Sequence, residues 1–362
     1  MVQCGLLQTT TLGVKGINKM FKLLSRDAFR EGVFARDNSS CVICGRPAQD
    51  AHHLIERRLW SDSGYYLENG ASLCGDCHIL AEQTVLSVDE LRTACGITKI
   101  IVPDQLYDDH EYDKWGNHIL PNGMRCKGEL FYDESVQKIL VGMLTLFTDF
   151  VKYPRTFHLP WSPGIHNDDR ALTLDEVRSN FEGKQVVVCT KLDGENTSLY
   201  TNYMHARSIN SGGHESRDWI KNFHRQFAHD IPERWRVNVE NLYAEHSIRY
   251  QNLESYAYGF AIWDQSNRCL SWDDTLEWFE LLGITPCPTI YEGLWDEGLL
   301  RKLHTPTWNG DDCEGYVIRT RDGFSYGDFR KSVAKYVRQG HVQTAKHWMH
   351  GRAVVRNGLK DV

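Results

Sequence analysis

Two pairs of cysteines, Cys41-Val42-Ile43-Cys44 and Cys74-Gly75-Asp76-Cys77, constrain this chain more than any other feature of its 362 residues. A glycine stands beside each pair and permits a tight turn. A separation of about thirty residues fits one tetrahedral Cys₄ zinc site. The chain has 11 cysteines, an odd number, which argues for reduced thiols and a metal rather than a disulfide framework.

Between the pairs lies Asp50-Ala51-His52-His53-Leu54-Ile55, followed by Asn69; His78 comes directly after the last cysteine. Adjacent histidines on a strand point to opposite faces, so one can bind a metal while the other acts as a base. The order His-His, Asn, Cys-x-x-Cys-His resembles the HNH endonuclease family over roughly residues 36 to 83, a family whose ββα-metal core is often braced by zinc. The resemblance implies His53 as the general base that activates water. It implies His52 and His78 as ligands of a catalytic divalent ion, with Asn69 in the same metal site and holding the loop that carries the base. Some members have a further histidine one helical turn later, where this chain has Glu82. The alternative is a zinc-braced module that binds nucleic acid without cutting it, and Arg57, Arg58 and Trp60 suit phosphate contact and base stacking under either reading.

A connector follows. Ser87 and Glu90 form a capping box that opens a short helix over 88–95. Residues 104–128 read as loop, and the apolar spacing from Val136 to Phe150 predicts one amphipathic helix over 134–150 that packs the halves together.

The second informative stretch is Val186-Val187-Val188-Cys189, a buried strand, running into Thr190-Lys191-Leu192-Asp193-Gly194-Glu195-Asn196. Asp-Gly after a β-branched run is a turn, which places Lys191 at a strand end. Desolvation and a neighbouring cation can lower a lysine until its neutral amine attacks phosphorus, and Asp193 and Glu195 would hold a metal ion or orient the attacked group. Downstream come Arg207, the alternating strand with Glu240, the strand with Tyr258 and Phe260, Glu314 ahead of an apolar run, and Lys335.

In that order these residues resemble the RNA ligase branch of the covalent nucleotidyltransferases, most closely the RNA ligase 2-like group, over about residues 153 to 340. The resemblance implies an ATP-dependent ligase acting through a lysyl-AMP intermediate. Lys191 matches the nucleophile; Asp193, Glu240, Phe260, Glu314 and Lys335 match nucleotide-binding positions, with Glu314 also a ligand for Mg²⁺ or Mn²⁺. Tyr258 is the rival to Phe260 for stacking on adenine. Asn196 and Arg207 match positions that engage the polynucleotide. The family usually has Lys-x-Lys at the last motif, whereas Val333 stands here, and Lys331 would supply the missing charge.

The expected class is α+β: an HNH-like ββα-metal zinc module over 1–110, a connector with a packing helix over 111–152, a nucleotidyltransferase domain of antiparallel sheets flanked by helices over 153–340, and a basic tail over 341–362. That tail, with Lys346, His347, Trp348, Arg352 and Arg356, is expected to help grip the polynucleotide. Net charge is -7, so binding of nucleic acid, RNA rather than DNA, must use local patches. Met1 to Gly13 makes a poor signal peptide, and the apolar run 139–147 is about half a membrane span. The expectation is a cytoplasmic protein using ATP, Mg²⁺ or Mn²⁺, and Zn²⁺, away from membranes.

Overall fold

A computed structural model describes residues 21–106, 110–166, 169–209, 211, 213–340 and 353–360. The chain divides into two compact units, Met1–Gly123 with Asp133–Leu146 and His166–Arg170, and Met124–Tyr132 with Phe147–Ile165 and Ala171–Val362. Among the described residues no helix is long and apolar enough to cross a membrane.

The first unit is built on a strand pair and a helix. Helix α1 (Arg26–Arg36) starts where the Ser25 side chain accepts a hydrogen bond from the Ala28 amide, and it buries Phe29 and Val33. Strands β1 (Asp50–His53) and β2 (Gly70–Leu73) are antiparallel, with His52 opposite Ala71 and His53 opposite Gly70. Helix α2 (Gly75–Glu82) begins directly after Cys74, so Cys77 and His78 stand near its start. Helix α3 (Val88–Ala94) carries the expected capping box of Ser87 and Glu90.

The helix predicted over 134–150 is shorter than its apolar period suggests. Helix α4 covers only Glu134–Ile139. The Met143 amide then bonds the Leu140 carbonyl at 2.8 Å, the tighter i→i+3 pattern of a 3₁₀ turn over Val141–Leu146. Gly142 weakens helix in the middle of the stretch, and Val141 is 71% exposed. Hydrophobic spacing alone does not register either effect.

The second unit is two facing sheets with helices outside. One sheet has the order β6–β5–β7–β8–β9–β13, made of β5 (Glu195–Leu199), β6 (Met204–Ala206), β7 (Arg236–Asn241), β8 (Ala257–Trp263), β9 (Arg268–Cys269) and β13 (Phe324–Ser325), with β10 (Thr285–Pro286) parallel to β8. The other has the order β11–β4–β12–β14–β3, made of β3 (Phe157–His158), β4 (Gln185–Lys191), β11 (Thr289–Leu294), β12 (Gly315–Thr320) and β14 (Val333–Val337). All of its pairings are antiparallel except β14 with β3.

Strand β4 has no polar face because both of its sides are covered. Val186 and Val188 pack with Val177 and Phe181 of α5 (Leu174–Phe181) and with Tyr316 and Ile318. Val187 and Cys189 point the other way, into a cluster with Tyr258 of the facing sheet and with Leu242 and Tyr250 of the loop that follows its strand β7. The far side of that facing sheet buries Val237 and Val239 against Ile220 of α6 (Asp218–His224) and Phe279 of α7 (Trp272–Leu282).

Strand β7 pairs continuously with β5, but its pairing with β8 shifts register between Asn238 and Val239. Asn238 lies opposite Ala261 and Val239 opposite Gly259, so Phe260 is an extra residue with no partner across the ladder. Such a bulge bends the strand and re-aims one side chain.

Candidate active site

Lys191 is the last residue of β4, where the strand meets the turn Leu192-Asp193-Gly194. Its neighbour across the sheet is Gly315, the first residue of β12, which brings Glu314 alongside. The ammonium of Lys191 donates to Glu314 Oε2 at 2.7 Å. Glu240 arrives from the facing sheet, where it lies opposite Asn196 on one side and Tyr258 on the other. Its Oε1 accepts from the Gly194 amide at 3.1 Å. The turn must be glycine at 194, because a Cβ there would meet the Asn241 carbonyl oxygen at 2.6 Å.

The electrostatics differ from the sequence expectation. Burial alone would push the Lys191 amine toward its neutral form, but the carboxylates of Glu314 and Glu240, with the Glu314 hydrogen bond, outweigh it and hold its pKa above the ordinary value. The expected cation-rich pocket is an acidic one, and the resting lysine is protonated. Burial, together with the charge of Glu314, lifts the Glu240 carboxyl to about 8 against the opposing pull of Lys191.

The acid of the turn and the one that opens β5 have other employment. Asp193 Oδ2 accepts from the Ser247 and Ile248 amides at 2.8 and 2.9 Å. Glu195 accepts from Arg217 Nε at 2.7 Å in a nearly buried ion pair. The sequence expectation made both metal or substrate ligands; the structure makes them fasteners of the loop and helix that surround the turn.

Cys189, Val317 and Lys335 are direct neighbours across three strands, which puts Lys335 on the Lys191 face, about two strand spacings or roughly 10 Å from Cys189 and two residues further along from Lys191. Phe260 is half-buried between the sheets with its ring edge-on to Tyr153 at 5.2 Å. Tyr258 is 1% exposed and its hydroxyl accepts from the Glu254 amide at 2.9 Å, so it is not available to stack on a base. The side-chain oxygen of Asn196 is buried without a hydrogen-bond partner, on the same face as Glu240. Arg207 is exposed just beyond β6. Lys331 is also exposed and pairs with Asp328 at 3.0 Å on a 3₁₀ turn before β14, not on the strand itself. Arg356 is exposed, whereas Lys346, His347, Trp348 and Arg352 lie outside the described residues, as does Met1 to Gly13.

In the first unit the four thiols of Cys41, Cys44, Cys74 and Cys77 lie within 4.8 Å of one another. The Cys44 and Cys74 sulfurs are 3.6 Å apart, close to the ~3.8 Å edge of a tetrahedron with Zn–S bonds of about 2.3 Å. All four are free of disulfides, and the donor set fits zinc.

His52, His78 and Glu82 form the only other such group among the described residues. His52 faces Glu82 at 3.4 Å and His78 faces it at 3.3 Å. The two rings meet edge-on at 5.1 Å. His53 points to the opposite side of β1, stacked on Phe29 at 4.6 Å, and burial with the Lys114 charge lowers it to about 4. Its Nε2 is buried without a partner.

Asn69 is not a ligand. Its side-chain oxygen accepts from the Ile55 amide at 2.9 Å, and its amide nitrogen donates to the Ile55 and Gly64 carbonyls at 3.0 and 3.1 Å. This saturated, buried carboxamide ties down the loop after β1, and Glu82, not Asn69, joins the two histidines in the group that could hold a metal ion. The spacing of Glu82 four residues after His78 on α2 could have indicated as much. Lys114 gave no such signal: its ammonium lies 3.1 Å from Glu82 and 3.3 Å from Glu56 and donates to the His53 carbonyl at 3.2 Å.

Residues 184–337, less than half of the chain, match the model of the family described as RNA ligase. No curated protein matches. Among solved structures, mutants of Naegleria gruberi RNA ligase are similar. One with ATP and Mn has 16% identity and a TM-score of 0.34, covering 46% of this chain and 53% of that one. A second with ATP and Mn has 16% identity and a TM-score of 0.36, covering 54% and 57%. An apo mutant has 14% identity and a TM-score of 0.37, covering 88% and 81%. The chain therefore spans about half the length of the first of these structures, and scores of this size do not establish a shared overall fold.

Proposed function

We propose that this protein is an ATP-dependent polynucleotide ligase, acting on RNA in preference to DNA, in which Lys191 takes up AMP and hands it to a 5′-phosphate end. The observation that carries the reading is Lys191 at a strand end, 2.7 Å from Glu314, inside the segment that matches the RNA ligase family.

Each residue type has a task. Once its proton is gone, the Lys191 amine attacks the α-phosphorus of ATP and the Pα–O bond to pyrophosphate breaks; the phosphoramidate conserves the energy for sealing. Glu240 binds the ribose hydroxyls, Phe260 stacks on adenine, and Lys335 balances the charge that grows as pyrophosphate leaves. Asn196 and Arg207 engage the polynucleotide end, and Lys331 adds positive charge nearby. Glu314 would hold a Mg²⁺ or Mn²⁺ ion jointly with substrate phosphates, as such ions usually bind; the ion would supply charge neutralisation at the α-phosphate. Glu314 keeps the resting nucleophile protonated, so labelling should need that divalent ion.

Incubation with α-labelled ATP and Mg²⁺ should give a covalent AMP adduct on the wild type and none on Lys191→Ala. An unlabelled wild type would reject the ligase reading. Joining assays on all-RNA, all-DNA and mixed nicks then read the substrate preference.

For the first unit we infer a zinc-braced nucleic-acid module of the HNH type. The convergence of His52, His78 and Glu82, with His53 on the opposite face, favours metal-dependent cleavage; the Lys114 ammonium against Glu82 favours a clamp that binds without cutting. His53→Ala separates the two. It abolishes a divalent-dependent cut under the first reading and leaves cleavage and sealing unchanged under the second.

A further inference from the structure

We infer that residues 355–360 form a latch that fixes the turn after Lys191, with Asn357 as a positioning residue for the nucleophile. The inference rests on the reading of Lys191 as the group that takes up AMP. It adds to the expectation that the basic tail helps grip the polynucleotide.

Asn357 is 1% exposed, and every polar atom it has is engaged with one loop, residues 242–256, which joins β7 to β8. Its side-chain oxygen accepts from the Tyr250 amide at 2.9 Å. Its side-chain nitrogen donates to the Leu242 and Ala244 carbonyls at 2.8 and 3.3 Å. Its backbone amide donates to the Tyr243 carbonyl at 3.0 Å, and its carbonyl accepts from the Tyr256 hydroxyl at 3.0 Å. The flanking residues extend the seam, with Glu245 donating to the Val355 carbonyl, Gly358 to the Tyr250 carbonyl, and Lys360 to the Leu253 carbonyl. Gly358 allows the approach, because a Cβ there would meet the Gln251 carbonyl oxygen at 2.9 Å.

The same loop grips the turn beside the nucleophile from its other side. The Ser247 and Ile248 amides donate to Asp193 Oδ2, and the Asp193 amide donates to the Tyr250 hydroxyl at 2.9 Å. Asp193 is two residues from Lys191. One residue, Tyr250, therefore takes Asn357 on its amide and Asp193 on its hydroxyl. A fifteen-residue connection is entropically costly to order, and a buried, fully satisfied polar network is a means of doing so in one arrangement. Loosening it displaces the turn, and small misplacements of a nucleophile are felt steeply in rate.

The test compares wild type, Asn357→Ala, Tyr250→Phe and the double variant in single-turnover formation of the AMP adduct. The expected result is a loss of rate of about 10- to 100-fold in each single variant with the ATP concentration at half-saturation changed less than about twofold, as displacement of the attacking group without loss of substrate contacts requires. The double variant should be no slower than the worse single one, because both act through one turn. Hydrogen exchange on the same proteins should show faster exchange of the Asp193, Ser247 and Ile248 amides in Asn357→Ala and unchanged exchange in β7 and β8. A wild-type rate in Asn357→Ala, additive losses in the double variant, or exchange that rises in β7 and β8 as well would overturn the latch. A wild type that takes no label would instead overturn the lysine reading, and the exchange result would still decide whether 355–360 orders the loop.

Discussion

Each unit holds a lysine against carboxylates at its centre, and the two are buried the opposite way round. In the first, the Lys114 side chain is 5% exposed while Glu56 and Glu82 are 14% and 24% exposed. In the second, Lys191 is 24% exposed and Glu314 only 5%. The deep partner is the fixed one, and the shallow partner is the one that solvent and ligands reach. Lys114 is thus an internal counter-ion beneath Glu56 and Glu82, whereas Lys191 stands outside a carboxylate that stays behind it. Under the proposed function, the attacking amine uses the second arrangement and the metal-holding carboxylate the first.

The strongest way to break this comparison is to remove the brace of one unit and watch the other. Cys74→Ser takes away one of four thiolates, and bound zinc measured by atomic absorption should fall from about one ion per chain to none, since three thiolates leave a structural site open. AMP labelling should persist; its loss would mean that the two units do not fold independently. Next in size is Lys114→Met, which frees Glu82. Calorimetric titration should show Mn²⁺ binding at His52, His78 and Glu82 strengthened by about tenfold, within the usual range for coupled binding of two cations, and unchanged affinity would mean that Lys114 does not compete for that site.

Phe260→Ala sharpens the contrast on the other side. It should raise the ATP requirement for labelling by about tenfold, the effect expected for losing one aromatic stack on a base, while the saturated rate holds. An unchanged requirement would hand the adenine to some other surface. The smallest effect concerns His205, which is 1% exposed and pushed down to about 4 by burial against the help of the Ala206 carbonyl. The fold accepts its neutral form, so its contribution is whole above the ordinary value of 6.5 and is lost as pH falls from there toward 4. Denaturation curves should lose stability less steeply over that window in His205→Gln than in wild type, and parallel slopes would assign the acid sensitivity elsewhere.

What could be read from the sequence was whatever depended on near neighbours. The thiol pairs are set by their own turns, His52 and His53 by strand alternation, and Lys191 by an apolar run meeting Asp-Gly. The sign of the Lys191 environment was misread because Glu314 and Glu240 lie 123 and 49 residues away along the chain, 314−191 and 240−191, and only the register of β4, β7 and β12 sets them beside the amine. Lys114 was missed for the same reason, since nothing in Asp113-Lys114-Trp115 refers to Glu82. Asn69 was given a ligand's part because an asparagine in a loop carries no mark of whether its carboxamide faces an ion or its own backbone. Asp193 and Asn357 belong to one network, yet 164 positions separate them, 357−193.

The unpaired Phe260 has a consequence for how this sheet can vary. Its neighbours on β7 and β8 are counted off on either side of it, so deleting that one position would let the two strands zip without interruption. Tyr258 would still face Glu240 and Ala261 would still face Asn238, but the sheet would lose the local bend with which the bulge aims its extra side chain. Point replacements at 260 should therefore be borne better than its deletion, and lineages of this fold would be expected to keep an extra residue there even where they change its letter.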